Sequence, residues 1–241
     1  MEIPQDHPRS ASLTLRHKLT DGLSRGIVAE AGLIAHGRGE AFDYLLAEKT
    51  HKPAYEAEKA ATALLKGSKS PVISVNGNTA VLCPKEIVEL AKATYAKIEV
   101  NLFYRSPGRL KAIEQAMQEA GAEKVYGVDV AEPTIPGLSS ERAKSDKAIL
   151  EADTVLVMLE DGDRTEKLKM MGKKVIAIDL NPLSRTPQMA DISIIDNVVR
   201  ALPNMVKMAG EIEGDTKAIV RGFSNEDNLA KMEKLIRDGQ R

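Results

Sequence analysis

Six short runs of branched aliphatic residues, separated by longer segments of helical periodicity, occupy the chain from about residue 70 onward. They are Pro71-Val72-Ile73-Ser74-Val75, Ile98-Glu99-Val100-Asn101-Leu102-Phe103, Lys124-Val125-Tyr126-Gly127-Val128, Asp153-Thr154-Val155-Leu156-Val157-Met158, Lys174-Val175-Ile176-Ala177-Ile178 and Asp191-Ile192-Ser193-Ile194-Ile195. Val and Ile are nearly continuous rather than alternating with polar residues. That pattern marks strands buried on both faces, as in a parallel sheet. A parallel pair needs a long crossover connection, and the helical segments supply it. The pattern therefore predicts an α/β fold, a doubly wound, mostly parallel sheet of about six strands with right-handed crossovers. Ligands of such a sheet bind outside the carboxyl ends of its strands.

Local signals place the helices. Pro84 and Pro107 stand at first-turn positions, Ser106 precedes Pro107 as a cap, and Leu110, Ile113, Met117 and Ala120 form a stripe that stops at Gly121. Before residue 70 the pattern changes. Leu15, Leu19, Leu23 and Ile27 fall at i, i+4 spacing, and an Ala-rich helix runs from Pro53 to Lys66. Residues 1–70 read as a helical layer packed on the core or on a second subunit, residues 71–213 as a nucleotide-binding core. Residues 214–241 read as a polar tail with one amphipathic helix carrying Leu229, Met232, Leu235 and Ile236.

Composition narrows the function. The 241 residues are 43% apolar but 3% aromatic, so the core is built from aliphatic side chains and exposed rings for stacking bases are scarce. A formal charge of −1 argues against a phosphate-backbone binder, whose domain is clearly basic, so nucleic acid is not expected as a partner. The single Cys83 supports neither a disulfide nor a thiolate metal site and predicts a cytoplasmic setting. Charged residues are spread through the first thirty positions, and no long apolar run follows. Neither a secretory leader nor a membrane partner is expected.

Polar strings stand at the predicted strand ends. Gly37-Arg38-Gly39-Glu40-Ala41-Phe42 begins like a dinucleotide fingerprint, but Phe42 replaces its third small residue and no strand precedes it. The loop His36-Gly37-Arg38-Gly39 still offers amide groups and a guanidinium to a phosphate, or is an ordinary turn between helices. Val75-Asn76-Gly77-Asn78 fits a hairpin or, better, a strand-to-helix phosphate-binding turn. Glu160-Asp161-Gly162-Asp163-Arg164-Thr165 and Asp179-Leu180-Asn181-Pro182-Leu183-Ser184-Arg185-Thr186 follow the fourth and fifth strands, on the ligand-binding edge. Acidic loops can hold Mg²⁺ through oxygen ligands, whereas Arg185 and Thr186 suit phosphate oxygens. The acidic loop read alone is equally a helix-capping turn. The four histidines lack metal-ligand spacing, and no nucleophile elbow is present.

Taken together, these strings are specific. With His7-Pro8-Arg9-Ser10 and Gly32 to Leu45, they resemble the archaeal phosphopantothenate synthetase family, also called 4-phosphopantoate:β-alanine ligases, over about residues 3–208. Met158 departs from an expected proline, and the tail beyond Gly214 matches no motif. The resemblance implies a homodimer with a Rossmann-like core that uses ATP and Mg²⁺ to join 4-phosphopantoate to β-alanine in coenzyme A biosynthesis, releasing AMP and pyrophosphate. It implies ATP contacts at Arg16, Arg38, Asp179, Leu180, Asn181, Arg185, Thr186, Asn197 and Val198, and it leaves the metal ligands unknown.

The chemistry fits those residue types. Adenylation makes a carboxylate oxygen a leaving group, and the pentacovalent phosphorus centre calls for cations such as Arg38 and Arg185. If the β-alanine amine titrates like lysine, near 10.4, freeing its lone pair at pH 7 costs on the order of 4–5 kcal/mol. His36 is a candidate base, since imidazole titrates near neutrality, and a structural or phosphate-binding role is equally open to it. A kinase on a similar core and a non-catalytic nucleotide-binding module are the alternatives.

Overall fold

The computed structural model describes all residues except 1–3, 5, 8, 131, 133, 134, 140, 240 and 241. Pro8 of the His7–Ser10 string lies outside the described residues. The six aliphatic runs form six parallel strands: β1 (Pro71–Val75), β2 (Lys97–Val100), β3 (Val125–Tyr126), β4 (Thr154–Met158), β5 (Lys174–Asp179) and β6 (Ile192–Ile195). Their order, β3-β2-β1-β4-β5-β6, is that of a doubly wound sheet that reverses direction between β1 and β4.

The continuous aliphatic runs follow from packing on both faces. Ile73, Leu156, Met158, Ile176 and Ile178 point into one buried cluster, whereas Val72, Val155, Val157, Val175 and Ala177 point into another. The first cluster is covered by the Ala-rich α3 (Lys52–Gly67), α5 (Pro84–Thr94), α6 (Pro107–Glu119) and α10 (Val198–Glu211). The second lies under α7 (Lys147–Glu151) and α8 (Gly162–Met170). The alanines of α3 bring its backbone close to the sheet, and Lys66 at its last turn donates to the Ala209 and Ile212 carbonyls at the end of α10, at 2.6 and 2.7 Å. Burying an aliphatic side chain in such layers contributes roughly 1.5–3 kcal/mol.

α1 (Ser10–Ser24) and α2 (Glu30–Leu45) precede α3, and the short α4 (Gly77–Leu82) follows β1 directly. Asn76 caps α4 by accepting from the Thr79 amide, while the Thr79 hydroxyl accepts from the Asn76 amide. This reciprocal capping resolves the Asn-Gly ambiguity in favour of a strand-to-helix turn. Ser106 caps α6 as expected. Four readings change. The second run ends as a strand at Val100, so Asn101, Leu102 and Phe103 lie in the loop beyond β2. The strand expected over 124–128 pairs only at Val125 and Tyr126, because Gly127 turns the chain at φ +84° against the β2 backbone. The expected loop at residues 36–39 is helical and lies in the middle of α2. The tail forms two helices instead of one, α11 (Thr216–Arg221) and α12 (Asn225–Asp238). Leu229 and Met232 of α12 are buried with Ala54 and Ile195, and Asn228 donates to the Ser193 carbonyl.

α2 keeps helical geometry through three glycines because tertiary contacts hold it. Asn78 donates to the Gly32 carbonyl at 2.9 Å, and a Cβ at Gly32 would stand 2.5 Å from Asn78 Oδ1. A Cβ at Gly39 would meet Leu180 at 3.3 Å, whereas one at Gly37 would meet nothing. At the far end Asp43 is gripped by Arg200 of α10, which also pairs with Asp196.

Candidate active site

The reversal between β1 and β4 leaves a crevice at the carboxyl edge of the sheet, and α2 roofs it. The crevice has two lobes. One, of about 340 Å³, is walled by the exits of β1 and β2: Asn76, Asn78, Asn101, Tyr104 and Arg109, with Asp161 from the loop after β4. The other, of about 360 Å³, lies over β4 and β5, against Gly39, Phe42, Gly162 and the Asp179–Thr186 loop. Ala35, Arg38, Leu159 and Glu160 belong to both walls. The lobes therefore meet under the middle of α2.

Local chemistry shapes each wall. Leu159 leaves β4 in the left-handed region, at φ +51°, a conformation costing of order 1–3 kcal/mol for a residue with a Cβ. It is held there by its amide bond to the Ile178 carbonyl, by Asn76 donating to the Met158 carbonyl, and by Thr186 donating to the Glu160 carbonyl at 2.8 Å. Burial pushes the Asp179 carboxyl up, against the opposing pull of the Asn181 amide and the Ser184 hydroxyl, each 3.0 Å away, and of the Arg38 charge. These bonds curl the loop after β5 over its own strand end. Gly162 allows that loop to touch the start of α8, since a Cβ there would lie 2.5 Å from Arg185 Cβ.

Of the sequence-predicted residues, Arg38, Asp179, Leu180, Asn181, Arg185 and Thr186 line the β4–β5 lobe together. Arg38 is exposed on the roof, whereas Arg185 turns to α8 and bonds Asp163 at 2.6 Å and Glu166 at 2.8 Å. The Arg185 guanidinium holds the Asp163 carboxyl below its usual range. Arg16 lines neither lobe. It grips Glu40 through a bidentate pair with a 2.8 Å contact and reaches the Tyr44 hydroxyl. Burial raises Glu40, but the Arg16 fork and the Tyr44 hydroxyl outweigh it and hold the carboxyl below its ordinary value. Asn197 and Val198 begin α10 away from both walls, and Asn197 donates to Asp43. His36 is half-buried on α2 and also lines neither lobe. Burial lowers its imidazole, and the neighbouring Arg16 adds to this while Glu40 and Asp43 oppose it.

Arg109, Asn101 and Tyr104 were not found by motif reading. Their position just beyond β2, at the edge where ligands sit, was the available signal. Arg109 donates to the Tyr104 and Ile27 carbonyls, and its buried Nε has no hydrogen-bond partner among the described residues. The acidic loop does not gather a metal site. Asp161 caps α8, Asp163 pairs with Arg185, and among the described residues no three His, Cys, Asp or Glu side chains converge on one point. No helix among the described residues is long and apolar enough to cross a membrane.

The chain matches the family model described as phosphopantothenate/pantothenate synthetase over residues 53–239. It is 50% identical over 246 residues to the 4-phosphopantoate–beta-alanine ligase of Thermococcus onnurineus (strain NA1), covering 99% of this chain and 93% of that one. The protein of the same name from Thermococcus kodakarensis is 50% identical with the same coverage. That of Methanosarcina mazei is 48% identical over 240 residues, covering 99% and 94%.

Proposed function

Since the chain belongs to the phosphopantothenate/pantothenate synthetase family, we propose that it joins 4-phosphopantoate to β-alanine, giving 4′-phosphopantothenate, AMP and pyrophosphate through an acyl-adenylate. The observation that carries this reading is the junction of two lobes at Arg38 and Glu160. A reaction that first couples ATP to a carboxylate needs two ligands to meet in one crevice, with a cation beside the point of contact.

The β4–β5 lobe takes the nucleotide. Asp179, Asn181 and Thr186 offer polar groups, while Arg185 and Arg38 face the phosphates. Engaging a phosphate requires Arg185 to give up the carboxylates of Asp163 and Glu166. The β1–β2 lobe takes phosphopantoate against Arg109 and the asparagines Asn76, Asn78 and Asn101, which orient its carboxylate toward the nucleotide. Arg38, set between the lobes, stabilises negative charge gathering on phosphorus. Among the described residues no three His, Cys, Asp or Glu side chains converge, and Mg²⁺ enters on the ATP phosphates with at most one or two carboxylates added from the acidic loop. Arg16 and Asn197 act on the nucleotide by bracing α2 through Glu40 and Asp43, and Val198 by anchoring the start of α10 in the core. The enzyme works in the cytoplasm as a homodimer.

Incubation with ATP, 4-phosphopantoate and β-alanine tests the proposal. Equimolar AMP and 4′-phosphopantothenate is the expected result. Release of ADP would assign the chain to the kinases, and nucleotide binding without substrate-dependent pyrophosphate release would make it a sensing module.

A further inference from the structure

The second half of the proposed reaction needs a base, because β-alanine arrives as an ammonium ion and only the neutral amine attacks an acyl carbon. The base must stand where the lobes meet, since the acyl carbon bonded to the nucleotide lies there. Of the residues common to both walls, Ala35 and Leu159 have no titratable group and Arg38 is a permanent cation, which leaves Glu160.

Its surroundings suit the task. The side chain is 15% exposed, so a ligand can reach it while most of its surface is dry. Oε1 accepts the Asp161 amide at 3.0 Å, whereas Oε2 accepts no hydrogen bond among the described residues and lies 3.7 Å from Arg164 Nε. Arg164 is also anchored by its terminal nitrogens, which donate to the Arg142 carbonyl, Asn101 Oδ1 and Ser145 Oγ, while its buried Nε has no hydrogen-bond partner among the described residues. Burial raises the Glu160 carboxyl, aided by the Asp161 charge and opposed by Arg164 and the Asp161 amide, and Arg38 stands across the junction on the roof. The neighbouring acids are committed elsewhere: Asp161 to the Arg164 amide, Asp163 to Arg185, and Asp179 to Asn181 and Ser184.

We propose that Glu160 is the general base of the amide-forming step. This rests on the ligase reading. Glu160 Oε2 takes one proton from the β-alanine ammonium, and the freed lone pair forms the C–N bond to the acyl carbon. The C–O bond to the adenylate phosphate breaks, its electron pair leaving on AMP, and the second proton of the joining nitrogen departs on a phosphate oxygen. Before transfer, the carboxylate also draws the ammonium to the junction against the repulsion of Arg38.

The test separates the half-reactions in the intact protein. In Glu160→Gln, 4-phosphopantoate-dependent exchange of pyrophosphate into ATP persists, while β-alanine-dependent AMP release falls about 100-fold or more. Hydroxylamine, already uncharged at neutral pH, restores turnover in the variant, and the β-alanine rate of the variant rises with pH as the free amine appears. Glu160→Asp, which keeps the carboxylate one methylene short, recovers part of the β-alanine rate and serves if the glutamine variant does not fold. Equal loss of exchange and of turnover with both nucleophiles, or unchanged β-alanine turnover, overturns the assignment. Absence of exchange in the parent protein instead defeats the ligase reading, and this proposal with it.

Discussion

Glu58 offers a quantitative test of how the Ala-rich helix is seated. Its side chain is wholly buried on α3; Oε2 accepts from Asn204 of α10 at 3.0 Å, and Oε1 has no hydrogen-bond partner among the described residues. Burial pushes the carboxyl up from 4.5 to about 8, helped by the Asp196 charge and opposed by Asn204 and Arg200. Below about pH 4.5 the folded and unfolded chains both carry this proton, so Glu58 adds no pH dependence there. Between 4.5 and about 8 the unfolded chain has lost it while the folded chain retains it, and stability falls by about 1.4 kcal/mol per pH unit. Above about 8 both are ionised and the loss levels off, at about 5 kcal/mol for the whole span. Glu58→Gln keeps an oxygen for Asn204 and removes the proton. Urea unfolding of both proteins between about pH 6 and 8 should therefore show the variant gaining about 2 kcal/mol on its parent across that interval, the slope flattening as the folded-state value is reached. Contributions from every other group are common to both proteins and cancel in the difference. Parallel stability curves would refute the argument, showing that Glu58 is ionised in the folded chain.

Arg185→Ala should weaken ATP binding at least tenfold by calorimetry, through lost charge-assisted contacts, while unfolding free energy stays within about 0.5 kcal/mol, as for exposed positions; equal affinity would contradict its nucleotide role. Arg200→Met strands the buried carboxylates of Asp43 and Asp196 and should cost about 3–5 kcal/mol in urea unfolding, and a loss under about 1 kcal/mol would show that the clamp is not a net support. Gly37→Ala should add about 0.5–1 kcal/mol because its Cβ meets open space, whereas Gly32→Ala, crowding Asn78, should destabilise; the order of the two melting temperatures decides.

The sheet was legible because its central strands are buried on both faces and are therefore aliphatic almost throughout, as Val155-Leu156-Val157 and Val175-Ile176-Ala177 show. Edge and tail were less so. Val125-Tyr126 is truncated by a glycine whose turn depends on its approach to β2, and the break between α11 and α12 lies at Gly222 and the Ser224 cap, local signals too short to separate from a single amphipathic stripe. In the site, the Asp179–Thr186 loop announced itself through consecutive polar residues after a strand. Residues 36–39 misled because glycine frequency speaks for a turn, while the bond from Asn78 to Gly32 is visible only in three dimensions. The grip of Arg200 on Asp43 joins residues far apart in sequence, and Arg109 sits within an ordinary amphipathic helix. Nothing local distinguishes either.

The glycines of α2 have an evolutionary consequence. Against alanine, Gly32, Gly37 and Gly39 weaken the intrinsic helix by about 3 kcal/mol. Two of them lie where any side chain would crowd the floor of the crevice, at Asn78 and Leu180. At those two positions selection for clearance and selection for thermal endurance pull in opposite directions. A lineage moving to hotter habitats has to find its extra stability away from the roof, at Gly37 or among the helices behind the sheet, and the two constrained glycines should be among the slowest positions to change.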